Sequence, residues 1–305
     1  MFKYTLDNKR YHTFNYFLKN KFNSKVFKIA LDAGFTCPNK KTGGCIFCCD
    51  GSKSNITNST KSILEQFDEE KKIMHKKWPE GLYIPYLQAN TNTLDTVENL
   101  KKIYEPLINA ENVVGFAIAT RPDSISDEVL KYLEDINKRT FLMVELGLQS
   151  SYDKTLEYIN RGHDVKSFEI MVKKLKKRNI FVVAHIINGL PGETKDMMIN
   201  TAKYLNKLNI DAIKIHMLHI VKNTKLAQIY EKKPFHILTK EEYIDIVCEQ
   251  LSYLKPEIVI ERITGDPIIE NLITPNWLTK KFVLLNDIDK EMKKRNYYQG
   301  INCNR

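Results

Sequence analysis

Six short apolar runs alternate with helix-length amphipathic stretches between residues 26 and 220, and this alternation limits the available folds more than any other feature. The runs are VFKIALDA (26–33), YIPYLQ (83–88), VVGFAIAT (113–120), FLMVELGLQ (141–149), FVVAHIING (181–189) and DAIKIHMLHI (211–220). Between them lie a mixed apolar and charged stretch at 60–77, TVENLKKIYEPL, DEVLKYLEDINK, a stretch near 165–178, and KDMMINTAKYLNKL. Apolar runs separated by helices of about 10–15 residues read as right-handed βαβ units on a parallel sheet. The expected class is α/β, a partial (β/α)6 TIM-like barrel. Residues 1–25 read as an N-terminal helical segment, 26–220 as the barrel, and 221–305 as a mainly helical C-terminal extension packed on it. Within that extension EIVIERIT has the composition of one further strand.

Parallel barrels carry their active sites at the C-terminal ends of the strands. Unusual polar residues collect there in this chain. A cysteine loop follows the first run, QANTNT the second and TRPD the third; ELGLQSS closes the fourth, INGLPGET the fifth and HMLHI the sixth. The loop spacing is Cys37-x7-Cys45-x2-Cys48, with Gly34, Pro38, Gly43, Gly44 and Gly51 around it. Three local thiolates are one short of the four that usually hold an iron–sulfur cluster or a structural zinc. A cluster held by three cysteines leaves one iron open to a small molecule. Two plainer readings compete: buried core thiols, or a zinc site completed by Cys49, His75, Cys248 or Cys303. No second C-x2-C or H-x3-H pair supports the zinc reading. Cys49 directly follows Cys48, so its side chain points elsewhere and it reads as a bystander.

Only six cysteines occur in 305 residues. The first 20 residues are aromatic and polar, without the apolar stretch of a secretory signal. A reducing, cytoplasmic setting without disulfides is expected. No apolar run approaches the roughly 20 residues that cross a bilayer, so no membrane partner is expected. Net charge is +10, from 47 basic and 37 acidic residues. Both a lysine-rich genome and a polyanionic partner such as RNA account for that bias. From Asn276 to Arg305 there are seven Lys or Arg against three Asp or Glu, with Trp277, Phe282, Tyr297 and Tyr298 among them. Lys280, Lys281, Lys293, Lys294 and Arg295 would meet phosphates, and Trp277 or Tyr298 would stack on an unpaired base. An ordinary surface helix with a buried aromatic stripe has the same composition.

Period-two alternation puts Glu145 and Gln149 on one face of the fourth strand, taken as the barrel interior. A buried glutamate needs a partner. His216 and His219 are odd-spaced, so one of them faces the cavity; His185 has the same ambiguity. Arg121, at a strand end, meets either a substrate anion or a structural partner. Arg121, His185 and His216 are the candidate catalytic residues.

Taken together, these motifs resemble the radical S-adenosylmethionine (SAM) enzymes. CPNKKTGGCIFC is similar to their cluster loop, with x7 where x3 is commonest, and Phe47 stands before the third cysteine as in that family. ELGLQS, INRGH and IINGLPGET resemble segments of the Elongator catalytic subunit and of oxygen-independent coproporphyrinogen oxidase. ATRPD and KIHMLHI-x3-TKL narrow the resemblance to the Elongator-like branch. RYHTFNYFLKNKF, KVFKIALDAGFTCPN, AHIINGLPGE, ERITGD and YYQG resemble the bacterial YtqA/YhcC-type family.

The resemblance implies that Cys37, Cys45 and Cys48 hold a 4Fe-4S cluster whose open iron chelates SAM. An injected electron would then release methionine and a 5′-deoxyadenosyl radical that takes hydrogen from substrate. It implies SAM contacts from Phe47, Gln88, Asn90, Thr91, Glu145, Gln149, Arg161 and Gly189. Arg161 would meet the SAM carboxylate or bridge to Glu145, and the ribose hydroxyls are the other partner for Glu145. QANTNT departs from the family's glycine-rich segment. The implied substrate is the tRNA wobble uridine, its 5-carboxymethylaminomethyl group becoming 5-aminomethyl, with a flavodoxin- or ferredoxin-type electron donor. Alternatives are a radical SAM enzyme for a small metabolite or peptide, and a non-catalytic metal-containing RNA-binding protein.

Protein purified without oxygen should be brown, with about four irons per chain. Cys37→Ala, Cys45→Ala and Cys48→Ala should each lose the iron while Cys49→Ala keeps it. Iron lost from Cys49→Ala but retained by Cys37→Ala contradicts the ligand set.

Overall fold

In the computed structural model, residues 2–49, 61–265 and 267–303 are described. Seven parallel strands follow one another across a curled half-barrel sheet. They are β1 (Val26–Leu31), β2 (Leu82–Leu87), β3 (Gly115–Thr120), β4 (Phe141–Gln149), β5 (Phe181–Asn188), β6 (Ala212–Met217) and β8 (Val259–Arg262). The intervening β7 (Ile220–Val221) pairs antiparallel with β9 (Leu272–Thr274). Two differences from the sequence pattern stand out. The sixth run breaks after Met217, where Leu218 N–H donates to Asn188 O (2.8 Å) and the chain leaves the sheet. The further strand expected at EIVIERIT is present as β8, but it joins the main sheet alongside β6, so the sheet continues beyond residue 220.

Ten helices are described: α1 (Phe14–Phe22), α2 (Ile63–Lys77), α3 (Val97–Ile108), α4 (Asp127–Arg139), α5 (Asp153–Tyr158), α6 (Val165–Lys176), α7 (Lys195–Leu205), α8 (Lys225–Lys232), α9 (Lys240–Tyr253) and α10 (Lys281–Lys294). Their starts are chemically marked. Ser62, Thr96, Ser126, Asp164, Thr194, Thr224 and Thr239 each accept a backbone N–H through their side chain, satisfying one otherwise orphaned donor.

The sheet is apolar on both faces because both are covered. Odd and even residues of one strand go to different cores. Tyr83 and Leu87 of β2 pack outward with Phe67, Leu100 and Tyr104 of α2 and α3. Ile84 and Tyr86 point inward with Met143, Val183, Ala212 and Val259. The N-terminal end of the interior is stoppered by α1. Phe17 lies 5.0 Å from Phe181 between ring centroids, and Phe181 lies 5.2 Å from Phe141. A polar clamp fixes the stopper. Ile260 N–H donates to His12 O (2.8 Å), and His12 N–H to Gln299 Oε1 (2.8 Å). Gln299 is fully buried and donates onward to Lys255 O and Ile258 O (2.8 Å each). The RYH and YYQG motifs are thus one structural unit holding the β8 edge.

The basic C-terminal segment divides on inspection. Arg295 bonds Asp245 (2.7 Å) and Glu291 (2.8 Å), tying α10 to α9. Trp277 donates from Nε1 to Leu238 O (3.1 Å) and packs on Tyr243. Both belong to the fold rather than to a stacking surface. Lys280, Lys293, Lys294, Phe282 and Tyr298 are exposed. No described helix is long and apolar enough to cross a membrane.

Candidate functional site

The first element of the site is the cysteine loop, held from three sides. Its start is fixed by Gln66 of α2, which accepts from Asp32 N–H (3.0 Å) and donates to Asp32 O (2.9 Å). Pro38–Thr42 form a 3₁₀ turn capped by Cys37 at one end. At the other end Gly43 and Gly44 have φ of +91° and +70°, the left-handed region glycine adopts without strain. Its far side is held by the INRGH segment that follows α5. Asn160 Nδ2 donates to Gly44 O (2.7 Å) and Thr42 O (3.1 Å). Buried Asn39 Nδ2 donates back to Asn160 O (2.7 Å), and Ile46 N–H to Ile159 O (3.0 Å). Gly162 has φ +75°, and a Cβ there would meet Asn39 Oδ1 at 2.2 Å, so the two segments touch backbone to side chain.

The sulfur environment is cationic. Cys45 is buried, Cys37 is partly buried and Cys48 is exposed. Cys45 Sγ accepts from Arg161 Nη1 (3.6 Å) and Asn39 Nδ2 (3.4 Å). Burial alone would depress the Arg121 guanidinium, but Asp123, with help from Cys37 and Cys45, holds it above its ordinary value. Two guanidinium groups therefore stand close to these sulfurs. Among the described residues no three Cys, His, Asp or Glu side chains already form a metal-binding group. The donor set nevertheless fits an anionic sulfur cluster. Amide and guanidinium N–H groups are aimed at sulfur, and Arg161 Nε and Thr91 Oγ1 are buried with no partner. Cys49 is partly buried, and Cys248 lies in the core on α9, where burial raises its thiol to about 12. His75 uses both nitrogens on Pro79 O (2.9 Å) and Tyr83 OH (2.5 Å).

Arg161 and Gln149 converge over Gly147. A Cβ on Gly147 would meet Arg161 Nη2 at 2.5 Å and Gln149 Nε2 at 2.7 Å. Arg161 Nη2 donates to Gly147 O (2.9 Å), and Gln149 sits at φ +75° beside a β4–β5 bulge. Arg161 does not pair with Glu145. Instead it stands between Cys45 and the end of β4. Arg121 is 4% exposed; it grips Asp123 through Nε (2.9 Å) and Nη2 (2.8 Å) and Arg161 O through Nη1 (2.8 Å). That geometry fixes the TRPD turn against INRGH. On QANTNT, Thr91 N–H donates to Thr36 O (3.3 Å) in the cysteine loop, and Asn90 has φ +64°. Gln88 N–H bonds Leu31 O (3.2 Å). Asn92 and Thr93, which the motif reading passed over, do the stitching. Asn92 Nδ2 donates to Leu87 O (3.0 Å) and Ala119 O (2.8 Å), and Thr93 Oγ1 to Ser124 O (2.7 Å). Phe47 packs beside Ile46, Leu156, Ile159 and Leu226, and Gly189 has φ +87° against Leu238.

Below this rim lies a buried ion cluster that motif reading missed. Glu145 faces the interior, as alternation predicts, and is 1% exposed. One carboxylate oxygen accepts from Lys28; the other accepts from Lys214 (2.6 Å), Tyr86 OH (2.6 Å) and His185 Nε2 (2.7 Å). Glu261 of β8 joins through Lys28 (2.5 Å) and Lys214 (3.2 Å). Burial would raise the Glu145 carboxyl, but Lys214 and Lys28 hold it well below the carboxylate range. Burial lowers both ammonium groups; Glu145 and Glu261 outweigh it for Lys28 but not for Lys214, which also feels Lys28 and Arg262. His185 and His216 lie with ring centroids 5.6 Å apart, and burial keeps both below the usual imidazole value. His219 lies past the end of β6 with Nδ1 on Met217 O (3.3 Å), so strand alternation does not govern it.

A sequence profile of the Radical SAM superfamily matches residues 34–205, which include the loop, the QANTNT turn and INRGH. The chain belongs to the radical SAM superfamily. The profile of the Radical_SAM C-terminal domain matches residues 210–294. Within the superfamily the chain belongs with the YtqA/YhcC-type proteins. It is 46% identical over 304 residues to "Uncharacterized protein YtqA" of Bacillus subtilis, covering 98% of this chain and 94% of that one. It is 27% identical over 180 residues to the tRNA uridine(34) acetyltransferase of Methanocaldococcus infernus, spanning 58% of this chain but 33% of that protein. The solved Elp3 from Methanocaldococcus infernus matches the radical SAM fold with a TM-score of 0.69 at 19% identity, over 90% of this chain and 64% of that one.

Asn160→Ala should free the cysteine loop without disturbing the barrel. The amides of Gly43, Gly44 and Ile46 should exchange at least about tenfold faster with deuterium, since two carbonyls lose a partner worth about 1 kcal/mol each. Strands β3 to β5 should exchange unchanged. Unaltered loop protection contradicts the assigned role of Asn160.

Proposed function

We propose that this radical SAM enzyme acts on the wobble uridine of tRNA, converting a 5-carboxymethylaminomethyl group to 5-aminomethyl. The observation that carries the chemical half is the convergence of Arg161 and Asn39 on Cys45 at the C-terminal end of the sheet. In this reading Cys37, Cys45 and Cys48 hold a 4Fe-4S cluster, and Arg161 takes the SAM carboxylate through a guanidinium matched to it. Thr91, whose hydroxyl is buried without a partner, takes a polar group of SAM near the loop, with Gln88 and Asn90 on the same turn. Gln149 meets the ribose; Phe47 and the Gly189 turn bound the adenine side. When bound, the cluster supplies the electron that cleaves SAM to methionine and a 5′-deoxyadenosyl radical. Glu145 lies deeper and acts through its neighbours, because both its oxygens are engaged. Arg121 is a positioning residue for Arg161.

The substrate half is supported by the relative named tRNA uridine(34) acetyltransferase and by the exposed lysines of the C-terminal segment. A low-potential flavodoxin- or ferredoxin-type protein would deliver the electron. The rival reading, a small metabolite or peptide substrate, draws on Trp277 and Arg295 being committed to internal packing.

Nucleosides from bulk tRNA of a strain with and without the gene separate the two readings. Loss of 5-aminomethyl-type uridines with accumulation of the carboxymethylaminomethyl form is expected in the deletion. An unchanged nucleoside profile overturns the tRNA reading.

A further inference from the structure

The ion cluster beneath the rim fixes the protonation of one group that opens toward the cavity. An ionised carboxylate only accepts hydrogen bonds. Glu145 is held ionised by two ammonium groups, so His185 Nε2, 2.7 Å away, must be the donor. A neutral imidazole with its proton on Nε2 carries its lone pair on Nδ1. That nitrogen has no hydrogen-bond partner among the described residues, and the His185 side chain keeps 19% of its surface exposed on the inward face of β5. Tyr86 and Lys214 donate to the same carboxylate oxygen, and a ring turned to aim its lone pair at that oxygen would face a group that only accepts.

We infer that His185 is a general base for the substrate, oriented by Glu145, and that Nδ1 takes the proton from a substrate amine. The inference rests on the amine-bearing substituent proposed above. A secondary amine beside a carboxymethyl carbon carries an extra proton at neutral pH. In that form nitrogen has no lone pair to share with the carbon losing hydrogen. Transfer to His185 breaks one N–H bond and forms Nδ1–H. The electron pair stays on the substrate nitrogen, where it stabilises an electron-deficient neighbouring carbon. The resulting imidazolium is bonded through Nε2 to Glu145, and the proton returns to water on product release. The proton transfer itself needs no further reactant; removal of hydrogen and electrons from the carbon belongs to the SAM chemistry proposed above, and water releases the carboxymethyl carbon.

The groups facing His185 agree with a resting base rather than a resting acid. Burial lowers its basicity first; the Glu145 bond opposes this, and Lys214 adds to the lowering. His216 on β6 is also kept neutral, chiefly by burial and then by His185 and Arg262. Lys28, Tyr86 and Glu261 complete the surrounding set from β1, β2 and β8. The ring is therefore neutral before substrate arrives, as a base must be.

Two measurements test this. Nitrogen NMR of histidine-labelled protein at pH 7 should show His185 neutral with its proton on Nε2; an Nδ1-protonated ring or an imidazolium overturns the inference. The second uses reconstituted enzyme and tRNA bearing 5-carboxymethylaminomethyl-uridine. His185→Gln keeps an N–H donor for Glu145 and removes the base. Its turnover at pH 7 should fall at least about 100-fold, then recover about tenfold per pH unit as the substrate amine deprotonates unaided. A variant with the wild-type rate and pH profile overturns the inference alone. A wild-type enzyme that leaves this tRNA unconverted overturns the substrate reading instead, and the inference with it.

Discussion

A half-barrel leaves two edge strands facing each other across an interior that backbone hydrogen bonds do not close, and here that gap is spanned by charge. Lys28 rises from edge strand β1 and binds both Glu145 of central β4 and Glu261 of the opposite edge, β8. Lys214 of β6 binds the same two carboxylates. Bringing four charged groups out of water costs several kcal/mol each, and only close, multiply bonded geometry offsets that. The cluster therefore specifies more than it stabilises: each strand must present its charged residue inward, at the right height. Aromatic packing of α1 seals the interior below it, and the cysteine rim stands above.

Function follows from this layering. The rim is built from loops that hold one another: Asn160 holds the cysteine turn, Arg161 bridges Cys45 and Gly147, and Arg121 holds Arg161. Below it, the ion cluster presents neutral imidazoles rather than bare charges to the cavity. A reactive site that must exclude water needs polar groups that are fixed before substrate binds, because mobile ones would be solvated by it.

Much of this could be read from the residues. Short apolar runs between amphipathic stretches give the parallel sheet, and period-two alternation gives the inward Glu145. What escaped was the identity of its partners. Lys28 and Lys214 look like surface lysines in VFKIAL and AIKIHM, yet the same alternation that turns Glu145 inward turns them inward too. Arg161 was the cation expected to bridge to Glu145, but it stands at the rim on Cys45 and Gly147, and the lysines take its place. The further strand was legible in EIVIERIT, but its place beside β6 was not, because a long helical stretch, rather than one helix, separates the two. Arg295 and Trp277 escaped because charge and aromaticity on a helix do not reveal which face meets α9.

Equilibrium urea unfolding at pH 7 of the wild type and Glu145→Gln tests the central role of the cluster most directly. Glutamine keeps the size and removes the anion, leaving Lys28 and Lys214 to share Glu261. The folded-state pKa of Glu145 is depressed, so its contribution is present above the unfolded carboxyl value and fully available at pH 7. The variant should lose about 3–5 kcal/mol, the usual cost of stranding a buried charge. The difference should shrink as pH falls below about 4.5, where the unfolded carboxyl takes up its proton. A loss below about 1 kcal/mol at pH 7, typical of an exposed ion pair, would contradict the account.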